Sequence, residues 1–347
     1  MTVQIHAREN HYVPRAQLRR WSTDGRTVWA YRLLVSHSSV PEWRRMSVRS
    51  LASQRDLYSI ASRDGELDEF ERWIAGEYEQ PANRAVDKVT SGARLRRDDW
   101  QSLARFVALQ DVRTPLGFHN MMRQLERDLP AVMNQTMRDG LEEFQRRGRR
   151  AAKPSVIPDE YAELSKLIKV TVHEPPNSET KEASLRAEMV LGRQSWIAYM
   201  RYLLQGRAAA ALCDHKWSIV EAPEEIEWPL TDHPVLKLNY YGPGRYDFRG
   251  GWGRRGGNIF MPITPRHLLF VQIGEDSGRK LTVSRETSLL FRSLLLERAH
   301  RWVFATRPMD WVSQQRPRRV DPEAFRSERE MWERWHEDQS AAETSQA

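Results

Sequence analysis

The chain has 347 residues, 40% of them hydrophobic and 29% charged, which is enough for one large domain or two modest ones, each with its own core. Its single cysteine, Cys213, rules out an intrachain disulfide and a cysteine-paired zinc site, and so fits a reducing compartment. The first thirty or so residues lack the basic start and apolar run of a signal peptide, and no run of about twenty apolar residues could span a bilayer. A soluble cytoplasmic protein with no membrane contact is expected. The formal charge of +7 and a pI of about 9.6 fit an acidic partner, nucleic acid being the commonest. They fit equally well a basic drift from arginine, which far outnumbers lysine here.

Taken in order, His11-Tyr12-Val13-Pro14 precedes a helix over Arg15 to Trp21, with Leu18 and Trp21 on one apolar face. His11 then lies near a helix's positive end, where it meets an anion or simply caps and packs. Asp24-Gly25 reads as the reversal of a strand pair that includes Thr27 to Val35. Leu67 to Val89 has helical spacing, with Pro81 as a break or restart, and Glu71 lies partly inward on it or on a solvated flank. A second helix, about Asp98 to Thr114, ends before Pro115 and stacks Gln110 one turn from Arg113. That pair suits a carboxylate or phosphate, because guanidinium is a planar fork that stays charged; Arg113 equally suits the helix's last carbonyls.

Helices follow over Phe118 to Asp128 and Met133 to Arg150, the last closing on the basic cluster Arg146-Arg147-Gly148-Arg149-Arg150. A proline-bearing stretch runs from Lys153, with a loop over His173 to Asn177, and one long helix is expected from Ser184 to Cys213. Short strands then take over at Trp217–Val220, after the corner Asp232-His233-Pro234, at Asn258–Pro262, His267–Ile273 and Lys280–Ser284, and at Arg301–Thr306. Ser288 to Glu297 is an apolar helix, and Phe325 to Trp335 is a short helix in a charged, partly disordered tail. The expected fold is therefore α+β: a mainly helical N-terminal two-thirds packed on a small, largely antiparallel C-terminal sheet. Residues 1–213 form the helical part with an N-terminal strand pair, 214–310 the sheet-rich part of the same unit, and 311–347 the tail.

Three blocks together resemble the DUF4238 family: His11-Tyr12-Val13-Pro14 with Leu18 and Trp21; the helical pair holding Glu71 and Gln110 to Pro115; and Thr231 to Val235 with Met261-Pro262-Ile263-Thr264-Pro265 behind it. The resemblance runs from about Asn10 to Phe304. The family usually carries Ser-Asp-Asn-Pro where this chain has Thr231-Asp232-His233-Pro234, so Asp232 and Pro234 carry over and His233 departs. The family name implies no activity.

The residues themselves point first to a hydrolase of nucleic acid or another phosphate ester. His11, Glu71, Gln110, Arg113 and Asp232 offer an imidazole for proton transfer, an arginine for developing charge, and two carboxylates, Glu71 and Asp232, as ligands for Mg²⁺ or Mn²⁺. The alternative is a non-catalytic module for nucleic acid or another anionic ligand. It rests on the loop of residues 240–257, where Arg249, Trp252, Arg254 and Arg255 interleave charge with a stacking ring among glycines. A third reading makes the same polar set a buried network that locks the helices onto the sheet.

Overall fold

In the computed structural model the described residues are 9–62, 65–67, 69–147, 167–173, 184–189, 191–242 and 244–344. Of the basic cluster expected at Arg146 to Arg150, residues 148–150 lie outside them; so do residues 153–166 of the proline-bearing stretch and 174–177 of the loop expected after His173.

Two main sheets form among the described residues. The larger has six strands in the order Arg245–Asp247, Leu236–Gly242, Gly257–Pro262, His267–Gln272, Ser218–Glu221 and Lys280–Thr282. Its pairs are antiparallel except the last, where Ile219 to Glu221 run parallel to Lys280 to Thr282. Side chains alternate across it as a pleat requires. Ile259, Met261, Leu269 and Val271 join the core cluster that holds Leu103, Val107 and Trp196, whereas Phe260, Leu268, Leu236 and Leu238 pack with Leu294 and Leu295. The sheet is thus covered by helices on both faces: Gln80–Thr90, Arg97–Val112 and Arg193–Gln205 contribute to the first side and Arg285–Arg298 to the second.

The second sheet joins the two ends of the chain. Trp302–Ala305 sits between Leu230–Thr231 and Thr27–Arg32, and Trp43–Ser47 flanks the last, all antiparallel. This corrects the expected layout. Beyond the expected strand at Thr27–Arg32, strands lie in the N-terminal two-thirds at Trp43–Ser47, Ile168–His173 and Ser184–Met189, the six-stranded sheet is not small, and the long helix Pro322–Thr344 lies at the C-terminal end. With 48% helix and 22% strand, helices mostly in the N-terminal half and sheets in the C-terminal half, the protein fits the α+β class. The physical reason is pairing at long range: Trp43-Arg44-Arg45-Met46-Ser47 has no clean alternation of its own and is held by its partner strand.

Local departures have equally local causes. No hairpin forms at Asp24-Gly25; the Asp24 carboxylate instead accepts from the Arg26 and Thr27 amides at 2.9 and 2.7 Å, turning the chain after the helix Arg15–Arg20. The helices expected over Phe118 to Asp128 and Met133 to Arg150 are one, Pro115–Arg147, with Pro130 inside it. The expected helix over Ser184 to Cys213 divides: Ser184–Met189 pairs with Ile168–His173, and helices Arg193–Gln205 and Arg207–Asp214 are separated by Gly206, whose backbone is extended. Pro81 does not end its helix. A π-helical turn, Ala75–Glu79, precedes it, and widening the helix there accommodates a residue with no N–H to donate.

Pro322–Thr344 is held down by a buried arginine. Arg193 Nε and Nη2 reach the two Glu343 oxygens at 2.9 and 2.7 Å, and the Arg193 amide donates to Gln339 Oε1 at 2.6 Å. Trp335 closes the contact, edge-on to Phe118 with ring centroids 5.2 Å apart.

Candidate functional site

Three chain corners meet at one end of the core: His11-Tyr12, Arg113-Thr114-Pro115 and Asp232-His233. Arg113 follows the helix Arg97–Val112 as its cap, its amide donating to Leu109 O at 3.0 Å. Thr114 Oγ1 accepts from the Gly117 amide at 3.1 Å and lies 2.7 Å from His233 Nδ1. Nε2 faces Asp111 Oδ1 at 4.0 Å, and with the neutral ring's proton on that nitrogen, Nδ1 accepts from the Thr114 hydroxyl. Burial holds the His233 imidazole down at about 4, in keeping with a neutral ring.

Arg113 is wholly buried and is answered on several sides. Nη1 donates to Glu79 Oε1, Nη2 to the His11 carbonyl oxygen, and Glu71 Oε2 stands 3.9 Å from Nη2. Tyr58 donates its hydroxyl to the Arg113 carbonyl, and the guanidinium lies 5.7 Å over the Tyr58 ring. His11, Glu71 and Arg113 are thus brought together, but through the His11 carbonyl. The His11 imidazole stands 3.1 Å from Arg49 O and accepts from Arg15 Nε at 3.2 Å; burial and then Arg15 push its pKa down. Burial raises the Glu71 carboxyl, with Arg113 opposing and Glu79 adding to the rise. Gln110, one turn before Arg113, is fully buried, and neither of its amide atoms has a hydrogen-bond partner among the described residues.

Asp232 belongs to a different space. Its Oδ1 accepts from the His300 amide at 2.9 Å and its Oδ2 from the Arg301 amide at 2.7 Å, so the carboxylate ties its corner to the strand Trp302–Ala305. It is buried yet lines a cleft of about 220 Å³ with Tyr12, Arg32, His300, Arg301 and Glu328. Burial lifts its carboxyl to about 6, the three backbone N–H groups at its corner opposing. Burial and then the Asp232 charge push the Tyr12 hydroxyl well up. Arg32 stands over Trp302 at 5.0 Å and over Phe325 at 4.3 Å, while Glu328 meets Arg301 Nε directly and Arg32 Nη2 at 3.9 Å. Glu71 and Asp232 are therefore held by separate sets of partners. Among the described residues no group of three or more His, Cys, Asp or Glu is placed to hold a metal ion.

The arginine-glycine loop divides in a similar way. Arg249, Arg254 and Arg255 are exposed. Trp252 is anchored: its indole donates to Asp111 Oδ2 at 2.8 Å and its carbonyl accepts from His215 Nε2 at 2.7 Å. Lys237 Nζ meets the same Asp111 oxygen at 2.6 Å. Burial works against ionisation of Asp111, but the Lys237 charge and the hydrogen bonds from Lys237 and Trp252 outweigh it and the carboxyl stays below its ordinary value.

Several of these partners escaped the reading of the sequence. Tyr12 was legible with His11 as a pair before a helix start, and Asp111, beside Gln110, carried a signal by adjacency. Glu79, Arg32, Arg301 and Glu328 carried none, because nothing local distinguishes one surface-type charge from another. The family model described as "Protein of unknown function (DUF4238)" matches residues 9–308. The chain belongs to the DUF4238 family. Its match takes in all three corners and both strands that join the ends of the chain. No curated protein and no solved structure matches this DUF4238 protein. No helix among its described residues is long and apolar enough to cross a membrane.

Proposed function

We propose that this DUF4238 protein is a hydrolase of phosphate esters and that the Asp232 cleft is where it acts. One observation carries the reading: a buried carboxyl, lifted to about 6, lines a cleft that also holds two guanidinium groups, Arg32 and Arg301. A carboxyl poised near neutrality can take a proton from an attacking water or give one to the leaving oxygen. In that reaction the water oxygen forms a new bond to phosphorus, the ester P–O bond breaks, and the guanidiniums meet the charge on the phosphoryl oxygens. At about 220 Å³ the cleft takes a phosphoryl group and a small adjoining moiety, not a base-paired duplex.

Asp232 already accepts a backbone N–H at each oxygen, and Glu71 faces Arg113, so the reading rests on proton transfer and guanidinium charge; Mg²⁺ or Mn²⁺ enters as an arm of the assay. The experiment compares wild type with Asp232→Asn on p-nitrophenyl phosphate, bis(p-nitrophenyl) phosphate and a short single strand, with either metal and with EDTA. Turnover by wild type, reduced about a hundredfold or more in the variant and with a pH limb near 6, is expected. Absence of turnover on all three substrates under every metal condition defeats the reading. Retardation of the strand without cleavage, lost on replacing Arg249, Arg254 and Arg255, would instead favour a binding module.

A further inference from the structure

A roomy cavity lies away from the three corners. It is a groove of about 730 Å³ between the turn that joins Gln80–Thr90 to Arg97–Val112, the end of the helix Arg207–Asp214, and the edge strand Lys280–Thr282. That volume lies within the range of pockets that hold a small organic ligand. Its lining is one-sided in charge: Arg94, Arg97, Lys216, Arg279 and Lys280 stand against the single carboxylate of Asp214, with His215 and His267 beside them.

Most of that charge is not used internally. Lys280 meets Glu221 at 3.1 Å, and Arg279 donates through Nη1 to Trp217 O at 3.2 Å. Arg94, Arg97 and Lys216 are exposed and enter no ion pair with a described residue. Like charges gathered in a concave surface repel one another, and a bound polyanion relieves that repulsion. An aromatic platform is present as well: Arg279 lies over the Trp100 ring at 4.7 Å, so a planar group can stack on the indole in its place or on the guanidinium itself. Bare phosphate would use the cations and leave the ring idle.

We propose that this groove binds a nucleotide, with its phosphates against Arg94, Arg97, Lys216 and Lys280 and its base on the Trp100 and Arg279 stack. The site stands apart from the Asp232 cleft and does not depend on hydrolysis there. Titration calorimetry on the full chain tests it with ATP, inorganic pyrophosphate and a short 5′-phosphorylated single strand, on wild type, on Arg94→Glu with Arg97→Glu, and on Trp100→Leu. ATP or the strand binds, more weakly as salt rises, and the charge reversal weakens it about tenfold or more, the scale of losing charge-assisted contacts. Trp100→Leu weakens ATP but leaves pyrophosphate unchanged. Tighter binding of ATP identifies a free nucleotide as the ligand, and tighter binding of the strand identifies a nucleic-acid end. No heat with either, pyrophosphate binding as tightly as ATP, or indifference to the charge reversal overturns the proposal. The reversed arginines are exposed, so that variant folds even where loss of Trp100 disturbs the core.

Discussion

The Arg113 network and the Asp232 cleft both bury ionisable groups at the same end of the core, and they treat them in opposite ways. Around Arg113 the guanidinium is matched by Glu79, by the His11 carbonyl and, further off, by Glu71, so charge is cancelled inside the protein. At Asp232 the carboxylate gains backbone N–H groups and, less strongly, the Arg301 charge, which do not offset its burial, so it keeps a raised proton affinity and lines open space. A buried charge that is fully matched mainly resists change, because removing one partner strands the other. A buried charge left partly unmatched beside a cavity can still respond to a ligand or a proton.

The strongest way to break this contrast is Arg113→Met. It leaves Glu79 and Glu71 without their counter-charge, and chemical denaturation is expected to show a loss of about 3–5 kcal/mol, the range for breaking a buried ion pair. A loss under about 1 kcal/mol would mean that the network is not what holds these segments.

Next in size is the pH response at Asp232. A carboxyl raised to about 6 when folded, against an ordinary value of 3.8, binds protons more tightly in the folded state. Its contribution is therefore fully present below about 4 and is lost as pH rises through about 6, a swing of roughly 3 kcal/mol at 1.36 kcal/mol per pH unit. The stability difference between wild type and Asp232→Asn should fall with pH across that window. A difference that stays flat or rises would show that the carboxyl is not raised. His233 runs the other way. Its folded pKa, near 4, lies below the ordinary 6.5, so it stabilises the fold above about 6.5 and that stability is lost as pH falls through about 4. Urea melts of His233→Phe at pH 4.5 and 7.5 should show a smaller loss on acidification than wild type.

Smaller effects sharpen the boundary between the two regions. Trp252→Phe removes one charge-assisted hydrogen bond to Asp111 while keeping most of the ring, and is expected to cost about 1.5–3 kcal/mol in thermal or urea unfolding. Glu71→Gln should change stability least, by under about 1 kcal/mol. Glu71 Oε2 has no hydrogen-bond partner among the described residues, stands 3.9 Å from Arg113, and burial already disfavours its charge. A loss of several kcal/mol there would make Glu71 a full member of the Arg113 network.

What could be read from the sequence follows from how local each cause is. The strand after Asp232-His233-Pro234 and the helix ending before Pro115 were legible because proline and hydrophobic spacing act within a few residues. The corners at His11, Arg113 and Asp232 were legible as blocks, but not the direction each side chain takes, so His11 was read for an imidazole that points elsewhere. The strand at Trp43–Ser47 depends on a partner, the π-helical turn on a balance around Pro81, and the cleft on Glu328 from the last helix. None of these leaves a mark in a short window.

The placing of Trp302–Ala305 in the middle of the second sheet also constrains how the protein is made. Thr27–Arg32 leaves the ribosome well before its central neighbour, which pairs Arg32 with Trp302 and Trp29 with Ala305, residues about 270 positions further along the chain. At about 5–20 residues per second that is a delay of some tens of seconds, during which one edge of the earlier strand stays unpaired. Nascent chains stalled before residue 302 should therefore be the ones that chaperones hold and proteases cut. Release of Trp302–Ala305 and of the helix Pro322–Thr344 behind it, not of the earlier helices, should set the moment at which this protein becomes resistant.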